Sequence, residues 1–138
     1  MRLTELQAHL FRFESRIETY QVCDGDPATW NERGRPVKEV TGPRTYLHHV
    51  KVMAEAQGVM MLCPLCFQKN GGDRGTHWIR VPFAGRGVTD EQAMHDDQGK
   101  PVCWEVSGAS LEDLSTAPSI LLLGGCGWHG YITHGDAA

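Results

Sequence analysis

Apolar and polar residues alternate with a period of two near the start of the chain. Phe11, Phe13 and Ile17 fall on one side of this stretch, and arginines and glutamates occupy the other side. This is the period of a half-buried strand, so the pattern predicts a strand over about residues 10–22. Shorter apolar segments predict further strands at 45–52, 58–62, 76–83, 102–106, 119–123 and 130–133.

Helical periodicity is confined to short pieces of the sequence. Leu3, Leu6 and Leu10 have helical spacing, and residues 54–57 predict one helical turn before a glycine. Residues 110–113 have the spacing of a capping box, which opens another turn. Residues 67–70 can form only a brief turn because two glycines follow. With strands in the majority, we predict an α+β fold that is mostly antiparallel β with short helices.

Two long stretches, at about 24–44 and 84–101, are rich in glycine, proline and acidic residues, and they predict long loops. Trp30 is the candidate to anchor the first loop to the core. The length of 138 residues fits one domain that spans 1–138.

Two short motifs, each after an apolar segment, carry the most specific chemistry. Cys63-Pro64-Leu65-Cys66 follows the strand predicted at 58–62, and Cys126-Gly127-Trp128-His129 follows the strand predicted at 119–123. Three thiolates and one imidazole complete a tetrahedral zinc shell. We therefore predict a structural zinc site with Cys63, Cys66, Cys126 and His129 as ligands, in a zinc-ribbon-like pair of knuckles.

Other interpretations of these residues remain open. The cysteines could be ordinary buried thiols, or Cys63 and Cys66 could form a redox pair like that of thioredoxins. The glycines at 71–72 argue against the long helix that such a redox motif opens. A zinc deaminase signature is absent, because the chain has no H-x-E motif. A metal-dependent hydrolase would need His134 or His77 near an open position on the metal.

Charge and hydropathy limit the classes of partner. The formal net charge is −4, which disfavours general binding to nucleic acid or to an anionic membrane. No apolar segment approaches the roughly 20 residues that span a bilayer, and the first residues lack a signal peptide. These features predict a cytoplasmic protein, in which paired cysteines are more often metal ligands than disulfides.

Several motifs in a fixed order resemble a family of small phage and prophage proteins of unknown function. They cover most of residues 45–136: Ala54 through Phe67, Gly72-x-x-Gly75-Thr76-His77, Trp104-x-Val106-Ser107-Gly108, Leu111-x-Asp113-Leu114, Pro118-Ser119-Ile120, and Cys126 through Ile132 with Gly135. Members are sometimes labelled "ammonia monooxygenase", but that activity belongs to membrane copper enzymes, so we do not adopt it. The resemblance implies a phage origin and supports the pairing of the two knuckles.

The sequence thus favours a non-enzymatic phage accessory protein over an enzyme. We expect it to bind a protein of the host or of the phage in the infected cytoplasm. A small zinc-dependent hydrolase with an open metal position is the first alternative. A zinc-knuckle nucleic-acid-binding protein is the second alternative.

Overall fold

The structure is a computed structural model that describes residues 1–26, 28 and 36–138. Within these ranges, strands dominate and one short α-helix is present. The strands are β1 His9–Cys23, β2 Val37–Val50, β3 Gly58–Leu62, β4 Trp78–Pro82, β5 Met94–His95, β6 Pro101–Val102, β7 Glu105–Ser107, β8 Ser115–Ala117, β9 Ile120–Leu121, β10 His129–Gly130, β11 Ile132–Thr133 and β12 Asp136–Ala137. The helix α1 is Pro64–Asn70, and 3-10 helices cover Met53–Glu55 and Leu111–Asp113.

The largest sheet has the strand order β2-β1-β3-β4. The central strand β3 pairs antiparallel with β1, where Leu10 faces Val59, and with β4, where Met61 faces Ile79. Because β3 has a neighbour on each edge and is mostly buried, it is a continuous apolar segment rather than an alternating one. The other strands form four antiparallel pairs, β5–β6, β7–β8, β9–β10 and β11–β12.

The chain divides into two compact units. The first contains Met1–Phe13 and Leu47–Ala138, and it holds the hydrophobic core. Its largest fully buried side chains include Phe11, Phe83 and Leu6. The prediction of an α+β, mainly antiparallel β fold is therefore confirmed.

The second unit is Glu14–Tyr46, which contains the outer parts of β1 and β2. None of its described residues is buried. Its two strands are hydrogen-bonded neighbours, and side chains add contacts between them. The Arg16 guanidinium lies 4.7 Å from the centre of the Tyr46 ring, and the Thr19 and Thr41 hydroxyls are 2.8 Å apart. We call this unit the hairpin unit.

Some element boundaries differ from the sequence prediction. The loop predicted at 24–44 is shorter, because β2 already begins at Val37. Trp30 lies outside the described residues. A brief turn was predicted at 67–70, whereas residues 64–70 form a helix that ends at Gly71, which has φ of 69°. The first residues form turns rather than a helix, yet Leu3 and Leu6 are buried as their spacing indicated.

Candidate metal centre and adjoining cavity

Three cysteines and one histidine from separate parts of the first unit come together at one point. The Sγ atoms of Cys63, Cys66 and Cys126 and a ring nitrogen of His77 all lie within 4.8 Å of one another. Such a group of soft and borderline donors is compatible with a metal site.

The first two cysteines are held where β3 meets α1. Cys63 directly follows β3 and is the N-cap residue of α1, with Pro64 in the first turn. Proline suits this position because its fixed φ matches the helix and its missing N–H needs no partner. Cys66 then lies within the first turn of α1, so a helical turn brings both sulfurs to the same side. The backbone N–H of Cys63 donates to the carbonyl of His77 at 2.9 Å.

The pairing of β3 with β4 brings His77 to the cysteines. In this antiparallel pair, Leu62 at the end of β3 faces Trp78 at the start of β4. The next residue on one strand is Cys63, and the preceding residue on the other strand is His77. Strand register therefore sets the His77 position, although 77 is distant from 63 in the sequence.

Cys126 lies in the loop between β9 and β10. The N–H of Leu122 donates to the carbonyl of Trp128 at 2.9 Å and closes this loop. Gly124 and Gly127 have φ of 74° and 75°, a conformation that glycine adopts without strain. The tight loop directs Cys126 back to Cys63, and their Sγ atoms are 3.4 Å apart.

The thiols in this cluster differ in acidity. Burial raises the pKa of Cys63 to about 12, because the thiolate would lose its hydration. Hydrogen bonding with His77 is the largest of the effects that lower the pKa of Cys126 to about 6. Cysteine binds a metal ion as the thiolate. The buried thiol of Cys63 would therefore lose its proton when a dication binds.

The structure does not group His129 with the three cysteines. His129 begins β10, opposite Leu121, and its Nε2 lies 3.0 Å from the Ser119 hydroxyl oxygen. His77 is the histidine at the cluster instead of the predicted His129. The C-x2-H spacing indicated His129 as a ligand from the local sequence. The position of His77 at the cluster depends instead on the register of β3 and β4.

The other histidine that the sequence offered as a neighbour of the metal lies elsewhere. His134 Nδ1 is 3.2 Å from the Asp113 carboxylate, and its backbone N–H donates to the Ser115 hydroxyl at 2.9 Å. His134, in the turn between β11 and β12, is therefore held by its contacts with Asp113 and Ser115. Of the two histidines named for an open metal site, only His77 reaches the cluster.

A cavity of about 560 Å³ adjoins the cluster on the His77 side. His77 contributes to its wall, and so does Gly125, which precedes Cys126. Apolar side chains make up most of the wall, including Trp104, Ile120 and Leu122. Polar groups from Arg80, His95, Asp96, Asp97 and Ser119 complete it. A largely apolar cleft of this size with a few polar groups is typical of a small-molecule site.

Comparison with known proteins finds no matching family model, no matching curated protein and no matching solved structure. In the described part of the chain, no helix combines the length and the apolar character needed to cross a membrane.

Proposed function

We propose that this chain is a small accessory protein with a structural zinc ion, and that it binds a protein partner through the hairpin unit. The observation that supports this most directly is the group of three cysteines and one histidine drawn from three distant segments. A phage or prophage origin, which the motif resemblance implies, and action in the host cytoplasm are part of the same proposal.

Zinc is the metal that best suits the donor set. A tetrahedral ion with bonds of about 2.0–2.3 Å needs donors about 3.3–3.8 Å apart. The four donors lie within 4.8 Å of one another, so small movements would complete such a shell. Three sulfurs and one nitrogen leave no position for a substrate or a reactive water. A zinc ion held in this way stabilises the fold and performs no chemistry.

The hairpin unit supports the binding part of the proposal. A two-stranded hairpin is marginally stable alone in water. This one has no buried residue among those described, and Ile17 on β1 is 75% exposed. An exposed ribbon of this kind offers apolar contacts and backbone edge groups to a partner strand.

A photo-crosslinking experiment tests this surface. A photoreactive amino acid is placed at Ile17, and the control carries it at Val52, which is 53% exposed and lies outside the hairpin unit. We expect one host or phage protein to crosslink from position 17 and not from position 52. The purified partner should then bind the wild-type chain in calorimetry and lose affinity for Ile17→Asp. Equal crosslinking from both positions, or none from position 17, argues against the proposal.

A zinc-dependent hydrolase is the second candidate, and one observation favours it. His77 is exposed and also lines the cavity, so its replacement by water would open the metal to a ligand. The absorption spectrum of the cobalt-substituted protein distinguishes the two functions. A tetrahedral spectrum that acetate or a hydroxamate leaves unchanged supports the structural ion, and a shift on anion addition supports the hydrolase. Nucleic-acid binding, the third candidate, is disfavoured by the net charge of −4.

A further inference from the structure

The guanidinium group of Arg80 has a buried nitrogen, Nε, without a hydrogen-bond partner among the described residues. Its Nη2 lies 4.0 Å from the sulfur of Met94, which is a weak acceptor. The Phe13 ring also lies near this group, with its centre 5.7 Å from the Arg80 Cζ. A buried N–H donor with no acceptor costs stability.

The Arg80 side chain lies in the wall of the 560 Å³ cavity. Arg80 is on β4, where it faces Met60 on β3, and Met94 lines the same cavity. The walls around it are apolar and include Trp104, Ile120 and Leu122. A guanidinium presents a planar fork of N–H donors that matches the two oxygens of a carboxylate. The cavity therefore combines one anion-binding group with a broad apolar wall.

Two carboxylates in the same wall limit the charge of the ligand. The Asp96 carboxylate accepts hydrogen bonds from the backbone N–H groups of Gln98 and Lys100, at 2.9 and 2.8 Å. It is therefore held in place by its own turn. Asp97 is exposed beside it. Two negative groups near one guanidinium disfavour a dianion such as a phosphate monoester. A monoanion places a single charge against Arg80.

We propose that this cavity binds a small organic carboxylate with a flat apolar body, and that the carboxylate pairs with Arg80. The apolar body packs against Trp104 and its neighbours, where burial of its surface supplies the remaining affinity. This site is separate from the proposed partner-binding role of the hairpin unit. The binding site is that of the metal-loaded protein, because His77 belongs to both the cluster and the cavity wall.

The test uses three probes of one shape on the zinc-loaded wild-type chain. These are 2-naphthoate, the neutral 2-naphthamide and 2-naphthyl phosphate, each titrated by calorimetry. The indole N–H resonance of Trp104 reports the site by nuclear magnetic resonance, because Trp104 lines the cavity and its Nε1 donates to the Ser119 carbonyl at 3.3 Å. We expect 2-naphthoate to bind one to one and at least about tenfold more tightly than either other probe.

The Arg80→Met variant separates a binding role from a structural role. Methionine keeps the apolar stem of the side chain and removes the guanidinium donors. We expect 2-naphthoate affinity to fall about tenfold or more, 2-naphthamide affinity to stay unchanged, and the melting temperature to stay equal or rise. Arg80→Lys keeps the positive charge but lacks the planar pair of N–H donors, so it should give an intermediate loss of affinity for 2-naphthoate. Arg74→Met makes the same change at an exposed arginine outside the cavity wall and should change nothing.

Three results would overturn the proposal. The first is the absence of a Trp104 shift with millimolar 2-naphthoate. The second is an equal loss of affinity for 2-naphthoate and for 2-naphthamide in Arg80→Met, which would show that only the shape of the cavity had changed. The third is a lower melting temperature or a failure to fold in Arg80→Met, which would make Arg80 a structural residue.

Discussion

Cys63 and Cys126 are 63 positions apart in the sequence, and their Sγ atoms lie 3.4 Å apart. A disulfide has a sulfur–sulfur distance of about 2.05 Å, so these are two free thiols side by side. Two sulfurs bound to one tetrahedral zinc ion at about 2.3 Å lie about 3.8 Å apart, which is a little more than the distance seen here. An ion bound at this point would join the end of β3 to the β9–β10 loop. It would thereby close a long loop of the chain.

The first prediction concerns the stabilising effect of that closure. Closing a long loop restricts the unfolded chain, and by analogy with a disulfide it contributes on the order of several kcal/mol. We expect Cys126→Ser to abolish stoichiometric zinc binding and to lower the free energy of unfolding by about that amount. Metal analysis of the purified protein and denaturant titration measure the two effects.

Cys23→Ser and Cys103→Ser are the matched controls for this prediction. Neither cysteine belongs to the cluster, so both variants should retain about one equivalent of zinc and unfold near the wild type. Similar losses of stability at all three cysteines would remove the reason for regarding Cys126 as a ligand. A metal-free protein with wild-type stability would have the same consequence.

The second prediction separates the two candidate histidine ligands. His77→Ala should weaken zinc binding strongly, because it removes one of four donors. His129→Ala should keep the zinc and lose less than about 1 kcal/mol, since it removes one exposed hydrogen bond to Ser119. Zinc titration against a competing chelator measures both affinities. A greater loss in His129→Ala would restore the ligand set that the sequence suggested.

His77→Cys adds a positive test of the same assignment. Shells of four cysteines and of three cysteines with one histidine are both common structural zinc sites. The variant should therefore bind zinc and fold, and its cobalt-substituted spectrum should show stronger thiolate charge-transfer absorption. Loss of metal in His77→Cys, together with its retention in His77→Ala, would contradict the assignment.

The third prediction tests how closely β1, β3 and β4 pack. A Cβ on Gly58 would lie 2.7 Å from Phe11 Cε1 and 2.8 Å from the Val81 carbonyl oxygen. Phe11 is fully buried and cannot move away without disturbing the core. We expect Gly58→Ala to lower the free energy of unfolding by about 1–3 kcal/mol. Gly42→Ala, in strand β2 with nothing within 4 Å, is the control and should change stability little. Equal melting temperatures for the two variants would contradict this packing.

The sequence predicted those parts of the fold that depend on local patterns. The apolar segment before Cys63 fixes β3 at Gly58–Leu62, and the alternation around Phe11 predicts β1. Three of the four clustered side chains follow from the two knuckles. His77 could not be predicted in this way, because its position depends on which residue of β4 faces Leu62. The cavity at Arg80 is also non-local, since its walls come from strands distant in the sequence.

A pair of histidines on neighbouring strands provides the last test. The rings of His9 and His49 have their centres 3.7 Å apart, and Trp78 packs against His9 at 5.6 Å. Partial burial is the main cause that lowers the pKa of His9, and the nearby His49 lowers it further. Two charged side chains, Lys51 and Glu112, line the same small cavity as His9.

The fourth prediction follows from the sign of that shift. Because His9 has a lower pKa in the folded chain, the unfolded chain binds more protons just below the ordinary histidine pKa. His9 therefore favours the folded state less as the pH falls from about 7.5 to about 5.5. We expect unfolding curves in denaturant to show a larger loss of stability over this range for the wild type than for His9→Gln. His49→Gln removes only the smaller of the two causes that lower the pKa of His9. Its loss of stability over this pH range should therefore be intermediate. Parallel losses in the wild type and His9→Gln would contradict the coupling of His9 protonation to folding.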